Sequence, residues 1–384
     1  MMIYPREDER AIRAQGLVKD WAASGLIEPW QRDRMLADLE IDYRRTNLFL
    51  RGVLFVFGFL IVYSVIGLLI VGLNIRQGLL FLALSLAVAL FFGAEQLIAR
   101  FRLYRFGIEE AVAVAAATTF AAGCLLYVRG QFSALMGFIG AAGASFIIFR
   151  RFGYLYAGIA AVLCAGLIPF NFTIFSGLVA DTPRRMFAII ILLLIFGIAR
   201  ERRKDHDWEF PGDLYAALEA TAWALIYLFT NLKLSPWLSV PDDGVPVFYW
   251  ATYAFTWILP AAGVLLAIGD RQRWLLDVSI VTAIVTLTTN KPYLGGVQRP
   301  WDPILFGVLM IAIALGLKRW LSSGRHGSRR GFIAARLLAS EQKSMAIAGG
   351  ATALGPGAPQ PHPHEQPPAF GGGDAGGAGA AAKF

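Results

Sequence analysis

Residues 53–73 read VLFVFGFLIVYSVIGLLIVGL, a run without one charged side chain. About 20 such residues in a helix cross the hydrocarbon core of a bilayer. Nine more segments follow the same pattern: 78–98, 107–127, 132–149, 152–170, 185–200, 214–232, 247–269, 274–290 and 301–318. Segments 132–149 and 185–200 are short and need residues from their flanks to span. The expected fold is therefore all-α: a polytopic membrane helical bundle of about ten transmembrane helices across residues 47–320.

Composition agrees. Of 384 residues 57% are hydrophobic and 16% charged, against roughly 45–50% and 25% in soluble domains. This excludes a water-soluble enzyme as the first reading, and a globally disordered chain, which needs low hydrophobicity. The net charge of +8 does not point to nucleic acid, because the basic residues sit in short clusters between apolar runs. With ten spans and an inside N-terminus, the inner connections carry 11 Lys and Arg and the outer ones 7. The positive-inside rule then places both termini in the cytoplasm, and the expected location is a bacterial cytoplasmic (inner) membrane. The Arg184–Arg185 pair on the outside is the exception. Trp237, Trp250, Trp274, Trp301 and Trp320 lie near segment ends, where amphipathic rings are accommodated.

Residues 1–46 are polar and read as two short helices forming a cytoplasmic hairpin. The first covers 7–23, with Ile12, Leu17, Val18 and Trp21 as an imperfect apolar stripe closed by Gly25. The second covers 29–42, with Pro29 in its first turn. Leu17, Trp21, Leu26, Ile27 and Leu36 are the candidate hairpin interface. The region serves either as a cap on the membrane domain or as the docking site of a cytoplasmic protein partner. Its acidic residues match its basic ones, which argues against nucleic acid.

Leu17-Val18-Lys19-Asp20-Trp21, Gly25-Leu26-Ile27, Gln31 and then Arg44-Arg45 ahead of many spans resemble a bacterial membrane protein family catalogued as domain of unknown function 2157. The specific likeness covers about residues 14–60. It implies a small helical N-terminal region before a polytopic one, and carries no reaction or ligand with it.

Past the last span, residues 321–348 form a basic juxtamembrane segment in which Phe332, Ile333, Leu337 and Leu338 could build an amphipathic helix on anionic lipid. Residues 349–384 hold 10 Gly and 6 Pro and are expected to be a disordered tail. His362 and His364 within it make a poor metal site.

Ionisable groups inside a span are costly and mark candidate sites. Glu219, two turns into the segment 214–232, is the strongest, with Thr221 beside it. It could relay protons, bind a cation, or pair with another helix. Glu95 is expected to pair locally with Arg100 and Arg102, and Glu109, Glu110 and Asp277 to anchor at the interface. Asp277, Thr282, Thr286 and Thr289 make the segment 274–290 unusually polar, either as a permeation path or as hydrogen-bonded packing. Gly137, Gly140 and Ala144 suggest close helix contact, and Pro260 should free a carbonyl in its helix. HExxH, GxSxG and Walker motifs are absent, no histidine lies in a span, and Cys124 and Cys164 belong to no CxxC spacing. No enzyme activity, cofactor or metal is implied. The Asp205–His206–Asp207 run reads as a charged connection. Two functions remain: a structural, regulatory or assembly protein of the membrane, or a small-solute or ion transporter using Glu219 and the polar segment.

Overall fold

The computed structural model describes residues 3–72, 78–128, 130, 132–172, 181–206, 213–234, 246–296, 299, 301–323, 328–329 and 332–333. They form an all-α bundle with membrane-spanning character: α1 (Arg6–Ala23), α2 (Pro29–Asp38), α3 (Leu48–Gly72), α4 (Leu79–Phe101), α5 (Ile108–Tyr127), α6 (Ser133–Phe152), α7 (Leu155–Leu167), α8 (Asp181–His206), α9 (Asp213–Thr230), α10 (Pro246–Asp270), α11 (Arg273–Tyr293) and α12 (Asp302–Ser322). Each of the ten apolar segments is a helix. Six among the described residues, α3, α4, α5, α6, α8 and α10, are long and apolar enough to cross a membrane. The two segments that looked short belong to these six, because α6 continues through Arg150–Phe152 and α8 starts at Asp181 and runs on to His206. Helix α7 is short: Pro169 turns its end into a 3-10 turn, Ile168–Asn171.

Two alanine-rich helices sit at the centres of packing. Helix α5 lies between α3, α4 and α6, and α9 between α7, α8, α10 and α11. Ala111, Ala113, Ala115 and Ala116 of α5, and Ala216, Ala217, Ala220 and Ala222 of α9, are buried. Small side chains let neighbouring backbones approach, the main source of helix affinity where lipid is as apolar as leucine. Gly137 and Gly140 of α6 are buried against Leu125 and Cys124 of α5. By contrast α3 buries only Gly58, against Ala111, and turns Phe57, Leu60, Ile61, Val65 and Leu68 outward.

Helix α1 ends as Gly25 requires. With φ +70°, Gly25 adopts the left-handed conformation that closes a helix; its N–H bonds the Ala22 carbonyl (3.1 Å) and the Leu26 N–H that of Trp21 (2.9 Å). Gln31 Oε1 accepts the Glu28 N–H at 2.9 Å and starts α2. Helix α2 ends at Asp38, not at 42, because the chain then runs extended: the Arg44 N–H donates to Arg102 O (2.9 Å) and the Tyr104 N–H to Arg44 O (3.1 Å). The Ile3 N–H donates to Arg151 O at 2.8 Å. The N-terminal region is thus bonded to the α4–α5 connection and to the last turn of α6.

Two local expectations fail. Glu95 pairs with Arg151 of α6, not with Arg100 or Arg102; one face of α4 packs toward the α5–α6 layer, and Arg102 bonds Asp42 instead. Phe332–Ile333 is no helix: it forms a strand, β2, paired antiparallel with Ser328–Arg329, β1. The rest of 334–348 and the tail 349–384 lie outside the described residues.

The tightest glycine contact joins three helices. A Cβ on Gly263 of α10 would stand 2.2 Å from Ser279 Oγ and 2.6 Å from Trp223 Nε1. Gly263→Ala is expected to lower unfolding stability by about 1–3 kcal/mol, while Gly67→Ala, which meets nothing within 4 Å, changes it little. Denaturant titration of both variants in the same micelle checks this.

Candidate functional site

Glu219 is fully buried, and α8 supplies its partner. Because α8 extends past the expected span end, Arg203 is brought inside the bundle, and its Nε donates to Glu219 Oε2 at 2.8 Å. Arg203 also donates to Asp270 Oδ2 at the end of α10 (2.9 Å), which Arg200 meets at 2.8 Å. Two cations and two carboxylates thus tie α8, α9 and α10 together at the same end that the N-terminal region covers. Removing one member of such a buried pair costs about 3–5 kcal/mol, because the other charge is left behind. Glu219 Oε1 is buried without a hydrogen-bond partner.

From this ion cluster a polar seam runs between α9, α10 and α11 to the opposite end. Gln272 Nε2 donates to Ala216 O (3.1 Å). Farther along, Pro260 lacks the N–H that would bond the carbonyl of Thr256, four residues earlier. Thr286 of α11 fills that place, its Oγ1 lying 2.8 Å from Thr256 O. Tyr227 of α9 contacts Thr286 Oγ1 at 2.8 Å, and Asn231 Nδ2 donates to Tyr227 Oη and to Thr289 Oγ1, both at 3.0 Å. The Thr286 hydroxyl has the Thr282 carbonyl of its own helix (2.9 Å) as a second acceptor; with its one proton given to Thr256 O, the chain runs from the Asn231 amide through Tyr227 and Thr286 to that carbonyl. At the far end the Tyr293 hydroxyl accepts the Leu232 N–H (2.7 Å), and Tyr253 donates to Asn290 Oδ1 (2.8 Å).

The candidates read from sequence therefore separate. Thr286 and Thr289 meet in the seam. Thr282 is buried there and bonds the carbonyl of Ser279 at 2.9 Å. Glu219 belongs to the ion cluster. Thr221 bonds back to Ala217 O (2.7 Å) within its own helix, and Asp277 is exposed, with Arg273 as its charged neighbour. On the N-terminal helices Leu17, Trp21 and Leu26 are exposed, while Ile27 and Leu36 are half-buried. Gln15 links the two, donating to Leu39 O and accepting from Arg45.

Sequence reasoning counted Arg203 among the connection charges and passed over Asp270. The usable signal was the need of an embedded carboxylate for a cation, which the preceding Arg200–Lys204 cluster could meet. It also passed over Arg185, whose buried guanidinium donates to Asp181 Oδ2 (2.7 Å) and to Phe229 O (2.8 Å). Among the described residues no three His, Cys, Asp or Glu side chains gather as metal ligands. The side chains of the Asp205–His206–Asp207 run lie outside the described residues. Comparisons of the chain with protein-family models, with curated proteins and with solved structures find no match.

If Thr286 replaces the missing proline N–H, Thr286→Val strands the Thr256 carbonyl and costs about 1–3 kcal/mol. Pro260→Ala restores a backbone donor to the same carbonyl, so the double variant should recover part of the loss. A double-mutant cycle on unfolding stability measures that coupling.

Proposed function

We propose that this is an integral protein of a bacterial cytoplasmic membrane, with about ten spans and both termini in the cytoplasm, in a structural, regulatory or assembly role. The observation that supports a non-transporting role is the seam: Tyr227 and Asn231 of α9 and Thr286 and Thr289 of α11 are used in bonds between helices. Hydroxyls so engaged act as adhesive between helices and leave a solute few groups to displace. The basic connections at the end carrying the N-terminal region support the orientation. Residues 1–46 are the proposed docking site of a cytoplasmic protein, supported by the exposed Leu17, Trp21 and Leu26. Membership of the family described above as domain of unknown function 2157 rests on the same short stretch.

A transport reading keeps one specific observation in its favour: Glu219 is fully buried with one oxygen free. Ion or proton flux in proteoliposomes separates the two. The non-transporting reading expects imposed proton, sodium and potassium gradients to decay as in protein-free vesicles. Faster decay that Glu219→Gln abolishes would overturn it in favour of transport.

A further inference from the structure

At the end of the seam away from the ion cluster, one cation has aromatic rings for neighbours and no acid. Lys233 follows α9 in a turn that Asn231 helps to fix, the Asn231 Oδ1 accepting the Lys233 N–H at 3.2 Å. Lys233 is exposed, and its Nζ stands over two tyrosine rings, 5.5 Å from the centre of Tyr249 and 6.0 Å from that of Tyr293. The rings themselves are held. The Tyr249 hydroxyl donates to Tyr293 O at 2.6 Å, and the Tyr293 hydroxyl accepts the Leu232 N–H at 2.7 Å. Tyr253, tied to Asn290, sets its ring 5.4 Å from that of Tyr293, and Tyr249 packs against Tyr293 at the same separation. Helices α10 and α11 thus present a fixed aromatic platform, flanked by Trp250, which is 56% exposed and 5.7 Å from Tyr249.

A ring face attracts a cation through its quadrupole, but it does not cancel the charge or use the ammonium's N–H donors as an anion does. The carboxylates described at this end are taken: Asp302 by Lys291 at 2.5 Å and Asp181 by Arg185 at 2.7 Å. Among the described residues Lys233 has no ion pair. Its charge is positioned but not matched. Tyr249 stands in the first turn of α10 and Tyr293 at the end of α11. The platform therefore lies where the apolar runs stop, the depth at which aromatic side chains meet lipid headgroups. The anion that a bilayer offers at this depth is phosphate, which a lysine binds as a point charge. Rings that already hold the lysine in place reduce the ordering entropy that such binding must overcome.

We propose that Lys233, held on the Tyr249 and Tyr293 rings, is a phosphate-binding site that takes the headgroup of an anionic phospholipid. The ammonium donates to the phosphate oxygens and supplies the charge match, while the rings fix where it stands. No bond is made or broken. The proposal goes beyond the choice between a structural role and transport, and it holds under either.

The test titrates the full chain in non-ionic detergent micelles with phosphatidylglycerol and, separately, with phosphatidylcholine, counting bound lipids by native mass spectrometry. The parent should retain one more phosphatidylglycerol than Lys233→Gln, while the two bind phosphatidylcholine alike. Lys233 is exposed, and equal unfolding of both proteins in lipid-free micelles verifies that the variant is folded. Tyr249→Leu removes a ring and should weaken the extra lipid roughly two- to fivefold; Tyr249→Phe keeps the ring and should bind as the parent does. Inorganic phosphate, compared with chloride at matched ionic strength, separates the sources: displacement of the lipid by phosphate alone shows a site for phosphate in general, and no displacement shows a site for the headgroup, both upholding the proposal. Equal phosphatidylglycerol retention by the parent and Lys233→Gln would overturn it. So would full retention in Tyr249→Leu, which marks an ordinary surface charge. Retention that emerges only when Asp242→Asn and Asp243→Asn are combined would also overturn it, because the partner of the ammonium is then that acidic pair of the chain.

Discussion

A bilayer core offers no hydrogen bonds, so each polar group brought into it must find a partner in the protein. In this chain that constraint acts most visibly on the Arg203–Glu219 pair. Glu219 can stand inside the bundle because α8 does not stop where its apolar run stops: it continues until Arg203 reaches the carboxylate. The same guanidinium binds Asp270, so the α8–α9–α10 arrangement is fixed at that end by charge. The rest of the seam follows the same rule, with the carbonyl released by Pro260 meeting the hydroxyl of Thr286.

Two helices of small residues organise the remainder. Alanine-lined α5 and α9 allow close approach of several neighbours each, whereas α3 and the described residues of α12 turn bulky apolar side chains outward. The polar clusters lie where α5 and α9 meet their neighbours. Bonds between side chains thus add direction to contacts that packing alone would leave free to slide or rotate, since lipid competes evenly for apolar surface.

Much of the fold was legible in the sequence because length and apolarity are direct physical requirements. Each apolar segment became a helix, and Gly25 closes α1 as a residue free to take positive φ should. What was not legible is pairing across helices. Glu95 was expected to bond its own helix's arginines because the sequence shows neighbours along the chain; Arg151 is distant in sequence and near in space. Phe332–Ile333 was read by apolar spacing alone, which in so short a stretch does not distinguish a helix from a strand. Glu219 was found as a candidate, but Arg203, Asp270 and Arg185 were not, since their roles depend on where α8 begins and ends. Thr286 and Thr289 were marked by their spacing, while their partners Tyr227 and Asn231 lie on another helix.

The central claim is that the α9–α11 seam is closed, with Tyr227, Asn231, Thr286 and Thr289 spent on one another and on neighbouring backbone. Cysteine accessibility along α11 tests it most directly. Single cysteines at Thr282, Thr286 and Thr289, in a background lacking Cys124 and Cys164, are treated in intact membranes with a small water-soluble thiol reagent. The account predicts no modification at these three positions, with reaction at a cysteine replacing exposed Leu294. Modification of all three from either side of the membrane would reveal a water-filled path and contradict the account.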